Sequence, residues 1–143
     1  MATTRGTVQR RRVLLVEDDE DVAEVVGVML RSIGHVVARA GGGRDALTMV
    51  AAFDPEVAFI DLGLPDMDGF EVARALRAAA DRRRPLICAL TGSAHPKAWE
   101  EAAEAGFDQY LVKPTTSREL SMIIDRRPAT THRRRRSDAA AGD

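Results

Sequence analysis

Short apolar runs alternate with longer amphipathic stretches from residue 13 to residue 125, and this alternation organises the chain. The runs cover residues 13–16, 35–40, 57–60, 86–90 and 109–112. Most are apolar at successive rather than alternate positions, the pattern of parallel strands covered on both faces. Between them the period lengthens to that of a helix. In residues 21–31, Val22, Val25, Val26, Met29 and Leu30 share one face, an aspartate suited to N-capping precedes, and Gly34 follows. Similar patterns over 43–52, 70–80, 96–105 and 117–125 predict four more helices, with Pro128 ending the last. Five strands alternating with five helices predict an α/β fold: an open, doubly wound five-stranded parallel sheet with helices on both faces. No internal repeat is visible.

Composition sets the bounds. At 143 residues, 45% hydrophobic and 30% charged, the chain has room for one globular domain. It has neither a run of about 18 apolar residues nor a secretory signal, so no membrane insertion and a cytoplasmic location are expected. Cys88 is the single cysteine, which excludes an internal disulfide and leaves stability to the core. The net charge of −1 hides an uneven distribution. Residues 1–12 carry four arginines and no acid, residues 126–143 carry six arginines and two aspartates, and the body between them is strongly acidic. The organisation read from this is a basic disordered tail over 1–11, a folded domain over 12–126 and an Arg-rich disordered tail over 127–143. Only two lysines exist, Lys97 and Lys113.

In an open parallel sheet the ligand site lies beyond the carboxyl ends of the strands, where strand order reverses. Glu17, Asp18 and Asp19 follow the first strand, Asp61 ends the third, Thr91, Gly92 and Ser93 end the fourth, and Lys113 and Pro114 follow the fifth. Carboxylates gathered at one rim repel one another unless a hard cation or a proton lies between them, and oxygen ligands in an open site suit Mg²⁺. Asp61 is then a candidate nucleophile, Lys113 a point charge for a phosphoryl oxygen, and Thr91 a donor. The set is suited to accepting a phosphoryl group.

The blocks LLVEDDE, FIDLGLPDMDGFE, LICALTGSA and AGFDQYLVKP, in this order, resemble the signature blocks of the response-regulator receiver domain of two-component signalling, over roughly residues 12–126. The resemblance implies a flavodoxin-like fold with strand order 2-1-3-4-5. It places the phosphoacceptor on Asp61, the acidic pair on Glu17 and Asp18, the switch hydroxyl on Thr91, the family's lysine on Lys113 and the aromatic switch on Tyr110. Mg²⁺ (or Mn²⁺) would be held by Glu17, Asp18, Asp61 and the backbone carbonyl of Gly63. The Lys113-Pro114 bond would be cis. The implied role is that of a stand-alone phosphoacceptor in a phosphorelay rather than an enzyme, at most phosphorylating and dephosphorylating itself. Its partners would be a histidine kinase or phosphotransfer protein and a downstream protein. The face made by the fourth helix, fifth strand and fifth helix would switch, and a homodimer could form through it. Gly63 places no side chain in the way of water attacking the phosphorylated Asp61.

Other features have plainer readings. Asp19 and Asp21 read as helix-capping acids, and residues 66–69 as a turn, since the closing glutamate of a calcium loop is missing. Gly41, Gly42 and Gly43 read as a helix lead-in, and Cys88 as a small core residue. Trp99 reads equally as core or as a partly exposed anchor; His35, His95 and His132 read as surface or strand-edge residues. Residues 133–136 are all arginine, but with no recognition helix or stacking aromatic beside them nucleic-acid binding is not expected. The competing functions are a receiver-shaped module that works without phosphorylation, the receiver part of a longer kinase, and a nucleic-acid-associated protein acting through its Arg-rich tails.

Overall fold

The computed structural model describes residues 9–79, 85–92 and 96–127. Ser93, His95, Pro128, His132 and residues 133–136 lie outside them, as do most of the two tails. The strands are β1 (Arg12–Val16), β2 (Val36–Ala40), β3 (Val57–Asp61), β4 (Leu86–Thr91) and β5 (Gln109–Val112). The helices are α1 (Glu20–Ser32), α2 (Gly43–Phe53), α3 (Gly69–Ala79), α4 (Pro96–Ala105) and α5 (Ser117–Asp125). All strand pairs are parallel, in the order β2-β1-β3-β4-β5. The doubly wound α/β sheet expected from the pattern is the observed architecture.

Each strand sends successive side chains to opposite faces, and two cores result. Leu14, Val16, Ala58, Ile60, Ile87 and Ala89 pack with α2, α3 and α4. Val13, Leu15, Val57, Phe59, Cys88 and Leu90 pack with α1 and α5. The central strands are therefore buried at almost every position, with Arg12, Asp61 and Thr91 the polar residues at their ends, while the edge strand β2 is mostly part-exposed. Cys88 is fully buried, and burial pushes its thiol pKa up.

Two expectations are corrected. The buried stripe of α1 is Ala23, Val26, Gly27 and Leu30, and Val25 is 57% exposed. Ala23 and Gly27 carry too little hydrophobic signal to mark that face, so an apolar stripe drawn through Val25 is rotated too far. Of the two readings given for His35, surface is wrong and strand edge holds: it stands just before the edge strand β2 but is buried, and its Nδ1 accepts a 3.1 Å hydrogen bond from the Arg11 backbone N–H.

His35 belongs to an ionic clasp at the amino ends of the strands. Arg11 is buried and donates to Glu56 Oε2 at 3.0 Å and to the Arg127 carbonyl at 3.1 Å. Glu56 Oε1 accepts from the Arg12 backbone N–H at 2.9 Å, and Arg127 Nε donates to the Glu56 carbonyl at 2.8 Å. Arg11 and Arg127, the residues at the inner ends of the two expected tails, are thus held in the folded body. They cap the pole of the sheet opposite its ligand-binding rim.

Candidate phosphoacceptor and metal site

The site is built where β1 and β3, the two strands at the reversal of strand order, end, with Lys113 reaching in from the end of β5. Asp19 accepts from the backbone N–H groups of Asp21 and Val22 at 2.9 and 3.2 Å and so starts α1 immediately after the acidic pair. Its carboxylate is committed to that cap. Glu17, one residue past β1, is 1% exposed. Its Oε2 accepts from the Asp19 N–H at 3.2 Å and its Oε1 from Lys113 Nζ at 3.2 Å. Asp61 closes β3 and is 7% exposed; its Oδ1 accepts from the Gly63 N–H at 3.0 Å and lies 3.4 Å from Lys113 Nζ. Lys113 therefore bridges two buried carboxylates from different strands, and its backbone N–H donates to Thr91 O at 2.7 Å.

Carboxylate oxygens of Glu17, Asp18 and Asp61 all lie within 4.8 Å of one another. Asp18 is the exposed member, open to a ligand from solvent. Burial, then the charge of Asp61, raise the Glu17 pKa; the Asp19 N–H and Lys113 oppose this. Burial works against the Lys113 ammonium, but the Glu17 hydrogen bond and the charges of Asp61 and Glu17 outweigh it and hold its pKa above the ordinary value. Clustered hard oxygen donors with one cation for two buried anions fit a divalent cation. A cleft of about 480 Å³ opens beside them, lined by Asp61, Leu62, Gly63, Thr91, Gly92 and Lys113.

Local sequence explains the fit of these parts. The loop after Asp61 is pressed against the start of α3: a Cβ at Gly69 would meet Leu62 Cα at 2.9 Å and Asp61 O at 3.0 Å, so only glycine permits this approach. The Lys113-Pro114 peptide bond is cis. The capping box of Thr116 and Glu119 then starts α5. Tyr110 does not line the cleft; its ring stacks on Trp99 of α4 with centroids 4.9 Å apart and planes 15° apart. Trp99 is half-buried, between the two readings open for it.

The sequence profile of the response regulator receiver domain family matches residues 13–125. The chain belongs to this family. The receiver domain is 38% identical over 111 residues to the DNA-binding response regulator MtrA of Mycobacterium tuberculosis, covering 78% of this chain and 47% of that protein. It spans about half the length of the MtrA relatives it matches. The fold is similar to chemotaxis protein CheY4 of Vibrio cholerae, with TM-score 0.78 and 28% identity over 84% of this chain and all of that one. It is also similar to the receiver domain of sensor histidine kinase PA1611 from Pseudomonas aeruginosa, whose structure has a magnesium ion coordinated in the active site cleft. There the TM-score is 0.75, with 34% identity over 83% of this chain and 98% of that one. Receiver domains of this kind serve as phosphoacceptors in two-component signalling, bind Mg²⁺ at an acidic pocket and interact with histidine kinases or phosphotransfer proteins. No helix among the described residues is long and apolar enough to cross a membrane.

Two residues outside the sequence-derived set hold the segments that surround the site. Arg39 of β2 donates to the backbone carbonyls of Glu17 and Asp18; a lone charged residue inside an apolar strand, V-V-A-R-A, is the signal for it. Asp66 accepts from the Gly43 and Arg44 N–H groups at 3.0 and 3.2 Å, which lowers its pKa. It thereby supplies the cap that Gly42, at the head of α2, lacks a side chain to make. Reading residues 66–69 as a turn alone misses that reach.

Proposed function

We propose that Asp61 takes a phosphoryl group from the phosphohistidine of a kinase or phosphotransfer protein, and that the face of α4, β5 and α5 changes in response. The observation that carries this reading is the placement of Lys113 between Glu17 and Asp61 with three carboxylates within 4.8 Å of one another. The Gly63 N–H and Lys113 Nζ both engage the Asp61 carboxylate through Oδ1. Oδ2 is then the oxygen for in-line attack. Its lone pair forms the O–P bond as the P–N bond of the donor breaks, and the imidazole leaves with the electron pair. Such transfer is mainly positioning and electrostatics.

Glu17, Asp18, Asp61 and the Gly63 carbonyl would hold Mg²⁺, which when bound supplies positive charge offsetting the repulsion between Asp61 and the phosphoryl oxygens. Lys113, already 3.4 Å from Asp61 Oδ1, stabilises the same charge from the β5 side. Thr91 stands across the cleft as a hydroxyl donor to the new phosphoryl group. Contacts made only by the phosphorylated site are what shift a two-state face. Tyr110, on the strand that ends in this site, is the residue to carry the shift, and its stacking partner Trp99 is the chain's only tryptophan.

The test monitors Trp99 emission and intact mass after adding Mg²⁺ and a small acyl phosphate donor. The native chain is expected to gain one phosphoryl group and change its emission. Asp61→Asn should do neither, and Tyr110→Ala should gain the group with the emission change lost. A native chain that gains no phosphoryl group from any donor, with Mg²⁺ present, refutes the reading.

A further inference from the structure

Asp18 differs from its neighbours in the acidic group. Glu17 is tied by Lys113 and by the Asp19 N–H, Asp61 by the Gly63 N–H and Lys113, and Asp19 by its cap. The Asp18 carboxylate takes no hydrogen bond from the described residues, yet it stands within 4.8 Å of the other two. What the fold fixes for it is the direction in which the backbone on either side launches the side chain. That backbone is held by Arg39. From β2, Arg39 Nε and Nη2 donate to Glu17 O at 3.1 and 2.9 Å, and Nη2 also donates to Asp18 O at 3.3 Å. The two carbonyls belong to the peptide groups on either side of Asp18. β2 also holds the loop with the opposite polarity, since Glu17 N–H donates to Ala40 O at 3.0 Å. A planar guanidinium can bind two adjacent carbonyls at once; an ammonium or amide cannot match that fork.

We propose that Arg39 is a positioning residue for the divalent-cation site: it fixes the peptide groups flanking Asp18 and so aims that carboxylate at the cation. This rests on the reading of the acidic group as a cation site. Groups that orient a ligand without touching the metal contribute to affinity through the ligand they hold.

The sign of the effect makes the idea testable. Arg39 is itself a cation beside a cation site, so on charge alone its removal tightens Mg²⁺ binding. Positioning predicts the reverse. Mg²⁺ is titrated by calorimetry into the full chain carrying the native residue, Arg39→Ala, Arg39→Lys or Arg39→Gln, with thermal unfolding of each without Mg²⁺ as the control for folding. Arg39→Ala is expected to weaken Mg²⁺ binding about tenfold, with Arg39→Lys failing to restore it although it keeps the charge. Should Arg39→Ala not fold, Arg39→Gln carries the same expectation. Unchanged or tighter binding in the folded Ala or Gln variant, or native affinity in Arg39→Lys, overturns the proposal while leaving the cation site standing. A native chain that binds no Mg²⁺ overturns both.

Discussion

Removing Glu56 tests how the amino-terminal pole of the sheet is held. Its carboxylate accepts from Arg11 at 3.0 Å and from the Arg12 N–H at 2.9 Å, and the side chains of Arg11 and Glu56 are 4% and 5% exposed. Burial alone would raise the Glu56 pKa, but the hydrogen bonds from Arg12 and Arg11 and their charges outweigh it and lower the value. The folded protein therefore keeps this carboxylate ionised. In Glu56→Ala the Arg11 guanidinium stays in the interior without that counter-charge, which for a buried pair costs about 3–5 kcal/mol. For a domain of this size each kcal/mol moves the unfolding midpoint by roughly 3–5 °C, so a fall of roughly 10–20 °C is expected at pH 7. The double variant Arg11→Met, Glu56→Leu removes both charges and is expected to recover more than half of that loss. Thermal denaturation monitored by circular dichroism measures each contribution, and the cycle of Arg11→Met, Glu56→Leu and their double isolates the pairing energy. A loss below about 1 kcal/mol in Glu56→Ala, or a double variant as unstable as the two singles added together, contradicts a clasp held by this pair.

Stability should also fall on the acid side in two steps. Burial lowers the His35 pKa, with Arg11 acting in the same direction and Asp125 and Glu56 against it. The unfolded chain thus binds the proton first, and the His35 contribution is complete above pH ~6.5 and declines as pH drops below it. The Glu56 contribution, present above pH ~4.3, is lost below that. Chemical denaturation across this range should show the upper step in the native chain and its disappearance in His35→Gln; an unchanged upper step assigns it elsewhere. At the other pole, Gly69→Ala should cost about 1–3 kcal/mol by overpacking and weaken Mg²⁺ binding, because its Cβ would strike the backbone that carries Asp61. Gly92→Ala is the matched control, having no atom within 4 Å of its Cβ. Equal behaviour of the two variants in calorimetric Mg²⁺ titrations would count against the close approach.

The sheet is readable from the chain because its central strands are apolar at successive positions between their ends, the pattern that burial on both faces produces. The rim residues are readable for a related reason. Parallel strands all end on the same side, so the residues just past each strand are already neighbours in space. The groups that escape such a reading are those whose partners lie far off in sequence and leave no periodic trace. Glu56 precedes a strand and looks like a solvated acid until Arg11 and Arg127 arrive from 45 and 71 residues away. Asp66 looks like a turn former because the N–H groups that donate to it, those of Gly43 and Arg44, stand before it on another element. The seat of α1 is misjudged because hydrophobicity ranks Val25 above Ala23 and Gly27, whereas burial follows the face that the helix turns to the sheet.

Lysine is nearly absent from this chain, and the bridge that Lys113 makes between Glu17 and Asp61 gives that scarcity a use. An amine acylates through its neutral form, which a raised pKa makes rarer. Besides the terminal amine only Lys97 and Lys113 can be labelled, and Lys113 is held in its unreactive form by the two carboxylates. Its labelling rate, read by peptide mass, is therefore a local gauge of how firmly those acids hold it, in a chain where almost every other positive charge is silent to such reagents.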